Sequence, residues 1–340
     1  MTLIECNPES LSEADLSLAD STPTAPRVLM CRPEHFTVSY RINPWMYPQQ
    51  PTDTALALRQ WQELYRTYQV LGFQVELIDP EPGLPDMVYA ANGGFTLDGV
   101  AYTARFRHAE RAPEGPAYGR WFADHGFRVA GAACVNEGEG DFMLVGDTIY
   151  AGTGFRSDDA SHDELRSIFD REVVTLRLVD PRFYHLDTAF AVLDPAGGPA
   201  SVAYLPSAFD EASLAILRKR FPDAILATQA DAEVLGLNSF SDGRNVVIAS
   251  RAETFARDLT DRGCPAVAPG RLAANQFTAG RPGQFAVDRL RCGLNAVVVL
   301  GLRGRSGGGE LDALLVTPFG SPRGAFAVTL RLGLRRGEGG

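Results

Sequence analysis

The sequence predicts a mixed α/β fold in which one supersecondary unit repeats around a common centre. Three observations lead there. A polar residue, an apolar strand, a tight turn and a returning strand recur in that order, led by Asp86, Asp141, Asp187 and Asn238 at intervals of 55, 46 and 51 residues. Periods of that size mark stacked supersecondary units. Helical patterns separate the units, so neither an all-β nor an all-α chain fits. Finally, 340 residues with 45% apolar and 22% charged content can bury a large core without disulfide staples. An open doubly wound sheet is the alternative. It wants strict strand–helix alternation and a glycine-rich phosphate loop, and no convincing loop of that kind is present.

The elements follow in chain order. Residues 1–26 are acidic, rich in Ser and Thr and aperiodic, which predicts a disordered segment. Arg27–Cys31 starts the first strand. Residues 54–71 carry Leu56, Trp61, Leu64, Tyr65, Tyr68 and Leu71 at helical spacing; Gly72 ends the helix and a strand follows at 75–78. Asp86 opens a strand over 87–95, Asp98-Gly99 turns it, and 100–106 returns. Asp141 opens 142–145, Gly146-Asp147 turns, and 148–155 returns. Asp187 opens 188–193, the turn spans 195–198, and 200–209 returns. Asn238 precedes 239–240, Asp242-Gly243 turns, and 245–248 returns. Helices are expected over 115–125, 162–169, 211–221 and 251–262. Each first strand would carry a polar side chain to the centre, and the spacing asks for a fifth delivery near residue 285.

Charge divides the chain. The net charge of −10 argues against general nucleic-acid or membrane-surface binding. Of the 32 basic residues only Lys219 is a lysine, a bias that points to a GC-rich genome. Residues 268–340 hold ten Arg against four acids, a net +6, which leaves −16 for the rest. That change predicts a boundary after Val267, hence three segments: 1–26, a catalytic domain over 27–267, and a divergent basic tail over 268–340. Three readings of the tail stand: a flexible interaction tail, a small domain around 296–302, or the product of a shifted reading frame. No run of 18 apolar residues exists, the N-terminus has no basic cluster, and the cysteines are odd in number and scattered. A reducing, cytoplasmic setting is expected.

Four groups of residues could carry chemistry. Asn136–Asp141 places Glu137, Glu139 and Asp141 in five residues with glycines between them, beside an apolar strand where unpaired carboxylates are costly. His185 and Asp187 are two apart, so on a strand both would face one side as a general acid–base pair. Asp86 stands at the mouth of an apolar strand. Arg105, Arg107, Arg111 and Arg156 follow returning strands and suit a substrate carboxylate. His35, His108, His125 and His162 fall on loops or helix ends without ligand spacing, so no metal is expected.

In order and spacing, the segments 84–89 (LPDMVY), 137–141 (EGEGD), 152–156 (GTGFR) and 185–188 (HLDT) resemble the guanidino-group-modifying superfamily. That superfamily holds dimethylarginine dimethylaminohydrolases, arginine deiminases and amidinotransferases. Segments 30–36 and 42–46 look like its actinobacterial dimethylargininase branch, and the resemblance covers about 28–267. It implies a fivefold pseudosymmetric α/β propeller (pentein-like) with a divergent C-terminal segment. It implies a cofactor-free hydrolase acting on a small guanidino substrate; it also admits a homodimer. By the resemblance, Asp86, Asp187 and one of Glu137 or Glu139 clamp the guanidinium, the Glu also orienting His185. Arg111 and Arg156 hold the substrate α-carboxylate. A cysteine thiolate attacks, and His185 protonates the leaving amine and then activates water. Deimination, amidino transfer and a dead ligand-binding relative are the competing readings.

Two departures from the family pattern stand out. Asn92 occupies a position where the family usually has an acid, which removes a charge and leaves room for an N-methyl group. Asp187 is a residue that deiminases and amidinotransferases carry and some dimethylarginine hydrolases lack. The family's nucleophile begins the last strand. Cys292 is the candidate here, about seven residues beyond the expected position; Cys264 reads as a loop residue, and Cys31 and Cys134 as buried strand residues.

Overall fold

The computed structural model describes residues 27–50, 52–264 and 266–267, together with the backbone strand 290–292. The segment expected to be disordered, and the basic tail apart from that strand, lie outside the described residues.

The described chain forms five three-stranded sheets. The second is β3 (Gly94–Leu97), β4 (Val100–Thr103) and β5 (Arg128–Ala130), with helix α2 (Glu114–Asp124) between β4 and β5. β3 and β4 pair antiparallel around Asp98-Gly99, both at positive φ (51° and 71°), while β4 and β5 pair parallel. Two consecutive left-handed residues match the twist of a two-residue hairpin, which is why Asp-Gly sits there. The third sheet repeats the plan with β6 (Phe142–Val145), β7 (Thr148–Thr153), α3 (Asp159–Phe169) and β8 (Glu172–Arg177). The fourth uses β9 (Phe190–Val192), β10 (Val202–Tyr204), α4 (Glu211–Arg220) and β11 (Ile225–Leu226). The fifth uses β12 (Phe240–Ser241), β13 (Val246–Val247), α6 (Glu253–Asp261) and β14 (Ala266–Val267), and a short helix α5 (Gln229–Glu233) precedes it.

The remaining sheet joins the two ends of the described chain. β1 (Arg27–Cys31) runs through α1 (Thr54–Val70) to the parallel strand β2 (Gln74–Ile78), and β15 (Leu290–Cys292) pairs on the other side of β1. β1 is a middle strand with both edges paired, and its two faces pack on different clusters, Val28 and Met30 on one and Leu29 and Cys31 on the other, so all four are buried. α1 starts on Asp53, whose side chain accepts from the Leu56 amide at 2.8 Å, and buries Ala57, Trp61, Leu64 and Tyr68. One asymmetry marks this sheet. In the other four the first strand is antiparallel to the second, but β15 runs parallel to β1, with Cys292 in register with Leu29. Four ββαβ units and a fifth sheet that joins the two ends of the described chain make this the fivefold α/β propeller that the repeat spacing and the resemblance imply.

Several expectations are corrected. The strand expected over 87–95 is mostly two 3₁₀ turns, Pro85–Val88 and Ala90–Gly93, and pairing starts only at Gly94. Likewise Leu186–Thr188 is a 3₁₀ turn before β9. The approach to the centre is therefore coiled, because backbones that must turn tightly inside a crowded hub cannot stay extended. The third strand of most sheets carried no distinct sequence signal. β5, β11 and β14 have only two or three residues, too few to show an alternation. Cys134 lies in a loop and is half-buried, and His162 is fully buried within α3 rather than at a helix end.

Candidate active site

The coiled segments ahead of β3, β6 and β9, together with the segment ahead of β12, meet beneath the loop that leaves β1. They enclose a cavity of about 380 Å³. Asp86, Asn92, Arg111, Arg156 and His185 line it, with Tyr89, Tyr184, Thr188 and Asn238. The β1 loop covers it with Ile42, Asn43, Trp45 and Tyr47. That loop is tied to the opposite wall: Trp45 Nε1 donates to the Arg182 carbonyl at 2.7 Å, and Arg156 Nη2 donates to the Ile42 carbonyl at 3.1 Å.

His185 stands between two buried carboxylates. Its Nε2 is 3.2 Å from Glu137 Oε2, and its Nδ1 is 3.2 Å from Asp141 Oδ1. The Nδ1 contact is ionic rather than an aligned hydrogen bond; Asp141 spends its oxygens on the Leu186 amide at 3.0 Å and the Ser157 hydroxyl at 2.6 Å. Burial pulls the imidazole pKa down, but Asp141 and then Glu137 outweigh it and raise it to about 9. His185 is thus an imidazolium at neutral pH. Glu137 behaves oppositely. Burial raises its carboxyl, yet Arg156, His185 and Arg111 together hold it well below the usual carboxylate range.

The two arginines differ in what they have left to offer. Arg111 gives Nε and Nη2 to Glu114 at 2.8 to 3.2 Å, Nη1 to Asn92 Oδ1 at 2.9 Å and Nη2 to the Asp86 carbonyl at 3.2 Å. It also lies against the face of Phe106, 4.5 Å from the ring centre. Arg156 gives one bond to Glu137 at 2.8 Å and one to Ile42, over the ring of Tyr184. Arg156 therefore keeps more of its N–H groups for a ligand. Arg105 and Arg107 are exposed and do not line the cavity.

Asp86 is the unsettled group. It is buried, and burial raises its pKa even though Arg111 and a 2.8 Å hydrogen bond from Tyr40 to Oδ2 oppose the rise. Its Oδ1 has no hydrogen-bond partner among the described residues. Glu114 is raised to about 7, mainly by burial, against the pull of Arg111. The cluster thus holds four carboxylates (Asp86, Glu114, Glu137, Asp141) against Arg111, Arg156 and the His185 imidazolium. Burial pushes two of the four, Asp86 and Glu114, toward their neutral forms. A cation with several N–H donors would satisfy Asp86 Oδ1 and favour its charged form.

The other expected site residues fall as follows. Glu139 is partly exposed, while Glu137 is fully buried and makes the ionic contacts to Arg156 and His185; neither lines the cavity. Asp187 is buried in the 3₁₀ turn beside Tyr184 but does not line the cavity, and the carboxylates that flank His185 are Glu137 and Asp141. The strand alternation that would pair His185 with Asp187 does not apply, because that backbone is coiled. Close approach depends on Gly140: a Cβ there would sit 2.2 Å from Asn92 Nδ2 and 3.2 Å from His185 Nδ1.

None of the cysteines with described side chains lines the cavity. Burial and nearby carboxylates push the Cys31 thiol up to about 12, and the thiols of Cys134 and Cys264 are also raised. That is the reverse of an activated nucleophile. The Cys292 side chain lies outside the described residues. Its backbone strand β15 runs beside β1 and against the 3₁₀ turn that carries Asn92. Among the described residues no group of three or more His, Cys, Asp and Glu could hold a metal ion. Sequence reasoning did not single out Tyr40, Glu114 or Ser157, since isolated residues of those types carry no motif.

No family model matches the chain. Curated relatives do. The N(G),N(G)-dimethylarginine dimethylaminohydrolase of Mycobacterium tuberculosis is 49% identical over 247 residues, which are 73% of this chain and 80% of the relative. The bifunctional arginine dihydrolase/ornithine cyclodeaminase ArgZ of Synechocystis is 37% identical over 70% of this chain, but over only 34% of its own length. The crystal structure of a variant of the N-terminal domain of ArgZ, covalently bound to a reaction intermediate, superposes with a TM-score of 0.68 at 35% identity, covering 72% of this chain and 90% of that domain. A dimethylarginine hydrolase structure from Pseudomonas aeruginosa shares the fold at 17% identity, with a TM-score of 0.59 over 72% of this chain and 92% of that one. On its repeat, its buried His–carboxylate cluster and these relationships, the chain belongs to the dimethylarginine dimethylaminohydrolase family of amidine hydrolases, within the pentein superfamily.

Proposed function

We propose that this chain hydrolyses a guanidino C–N bond of an N-methylated arginine, releasing citrulline and dimethylamine. One observation carries the reading: buried Asp86, whose Oδ1 has no hydrogen-bond partner among the described residues, lies at the wall of a 380 Å³ cavity. A planar guanidinium supplies that oxygen with donors and stabilises the ionised carboxylate.

The residues divide the work as follows. Asp86 accepts N–H bonds from the substrate, and Glu137 adds negative charge at its reacting end. Arg156, with Arg111 behind it, takes the α-carboxylate. Asp187 contributes field from outside the lining. Cys292, on the strand beside β1, supplies the thiolate that attacks the guanidinium carbon. The C–N bond to dimethylamine breaks as His185 passes its proton to the departing nitrogen. A pKa of about 9 keeps His185 charged for this step. The neutral imidazole then takes a proton from water, hydroxide adds to the thiouronium carbon, and the thiolate leaves with citrulline formed.

The relationship to ArgZ supports arginine itself as the competing substrate, in which case ammonia replaces dimethylamine. Purified protein is assayed for citrulline with asymmetric dimethylarginine and with arginine, and the released amine is identified. Dimethylamine as the main product upholds the proposal, and ammonia moves it to arginine dihydrolysis. No citrulline from folded protein with either substrate overturns both.

A further inference from the structure

Asn238 is the polar residue of the repeat that the mechanism above does not use. The structure gives it a defined place. Two residues before the first strand of each unit stand Asn92 (before β3), Gly140 (before β6), Thr188 (before β9) and Asn238 (before β12). Three of these four positions line the cavity, and Gly140 is the small one that lets Asn92 approach His185. Pseudosymmetry thus puts Asn238 in the cavity wall as the counterpart of Asn92.

The two asparagines differ in their partners. Asn92 accepts from Arg111 and donates to the Glu137 carbonyl. Asn238 is 1% exposed, yet its Oδ1 and Nδ2 both lack a hydrogen-bond partner among the described residues. A buried carboxamide with both ends open costs stability unless a ligand closes them. It asks for a ligand that is donor and acceptor at once. A guanidinium only donates, so it would leave Nδ2 open. An α-amino acid head group fits both ends: its ammonium donates to Oδ1 and its carboxylate accepts from Nδ2.

We infer that Asn238 is a substrate-binding residue that recognises the α-amino-acid head group, and so restricts the enzyme to guanidino amino acids over simple guanidines. This rests on the proposed function, and the test separates the two. Wild type and Asn238→Ala are compared for kcat/KM with asymmetric dimethylarginine and with N,N-dimethyl-N′-butylguanidine, which lacks the head group. The Kd of L-citrulline is measured by calorimetry on both proteins. The expected result is a ten- to hundredfold loss of kcat/KM for dimethylarginine, a similar rise in the citrulline Kd, and no change for the butylguanidine. Equal losses on both substrates, or no loss on either, overturn the inference. If wild type turns over dimethylarginine alone, its loss of kcat/KM and the citrulline Kd decide together; if it turns over neither substrate the proposed function fails, and the citrulline Kd alone decides. A Kd unchanged by the substitution, or no citrulline binding by wild type, overturns the inference. Asn238→Leu guards against a merely unfolded alanine variant. It keeps the volume and removes both polar ends without burying a charge, so its citrulline affinity also falls while its melting temperature stays near that of wild type. Citrulline affinity retained in Asn238→Leu overturns the inference.

Discussion

His185 Nε2 lies 3.2 Å from Glu137 Oε2, and the same oxygen accepts a 2.8 Å hydrogen bond from Arg156. One carboxylate oxygen therefore holds the imidazole proton and ties it to a buried guanidinium. Glu137→Gln removes the charge but keeps the shape. The His185 pKa is expected to fall from its raised position, and kcat near pH 7 to drop by roughly a hundredfold or more. NMR titration of the His185 ring checks the first, and citrulline formation checks the second. An unmoved titration would mean that Asp141 alone sets the imidazole.

The same pair makes stability depend on pH. The His185 pKa is raised above its unfolded value, so its contribution is whole below about pH 6.5 and fades as pH climbs toward about 9. The Glu114 carboxyl, raised to about 7, also gives up its stabilising protonation as pH rises, but below that window. Between pH 7 and 9 the melting temperature is expected to fall, with a shallower slope in His185→Gln. Parallel curves for the two proteins would remove His185 as the cause.

Gly140→Ala is expected to damage activity more than its size suggests. Its Cβ would collide with Asn92 Nδ2 and press on His185 Nδ1. Relief needs Asn92 to rotate away from Arg111 or the hub to expand, at a cost of about 1–3 kcal/mol. Thermal unfolding and kcat are both expected to fall, whereas Gly126→Ala, with nothing within 4 Å of its Cβ but a positive φ, should lose stability without losing the site.

Cysteine substitutions divide by location. Cys31→Ser leaves turnover in place, because that thiol is buried in the core, pushed up to about 12 and away from the cavity lining. It lowers stability by about 1–3 kcal/mol by putting a hydroxyl into an apolar cluster. Cys292→Ser is expected to abolish turnover. Trapping with a haloacetamidine followed by peptide mass mapping identifies the reacting thiol, and a label on another cysteine moves the nucleophile there.

Asn92→Asp tests substrate choice. The carboxylate keeps the acceptor for Arg111 but loses the donor to Glu137 and adds an acid to a cluster in which burial already raises Asp86 and Glu114. The ratio of kcat/KM for arginine over dimethylarginine is expected to rise. An unchanged ratio would show that Asn92 does not read the N-methyl groups.

Much of this protein was legible before any fold was known. The 55, 46 and 51 residue spacings, the Asp-Gly and Gly-Asp turns and the helical stretches announce a repeated αβ unit. They do so because turn chemistry and hydrophobic period are local properties. Asp86, Arg111, Arg156 and His185 could be picked out because each stands beside an apolar strand or in a recurring motif, where a charged group needs a reason. Tertiary structure decided the rest. Glu137 and Glu139 are two residues apart in similar surroundings, and only the packing of three units buries Glu137 against His185 and Arg156 while Glu139 stays partly exposed. Asp187 looked like the partner of His185, yet a 3₁₀ turn breaks the alternation and hands that place to Glu137 and Asp141. The open carboxamide of Asn238 and the unpartnered oxygen of Asp86 could not be read from the chain at all. A hydrogen bond left unmade is a property of everything that folds around it, whereas a repeat is written in neighbours along the sequence.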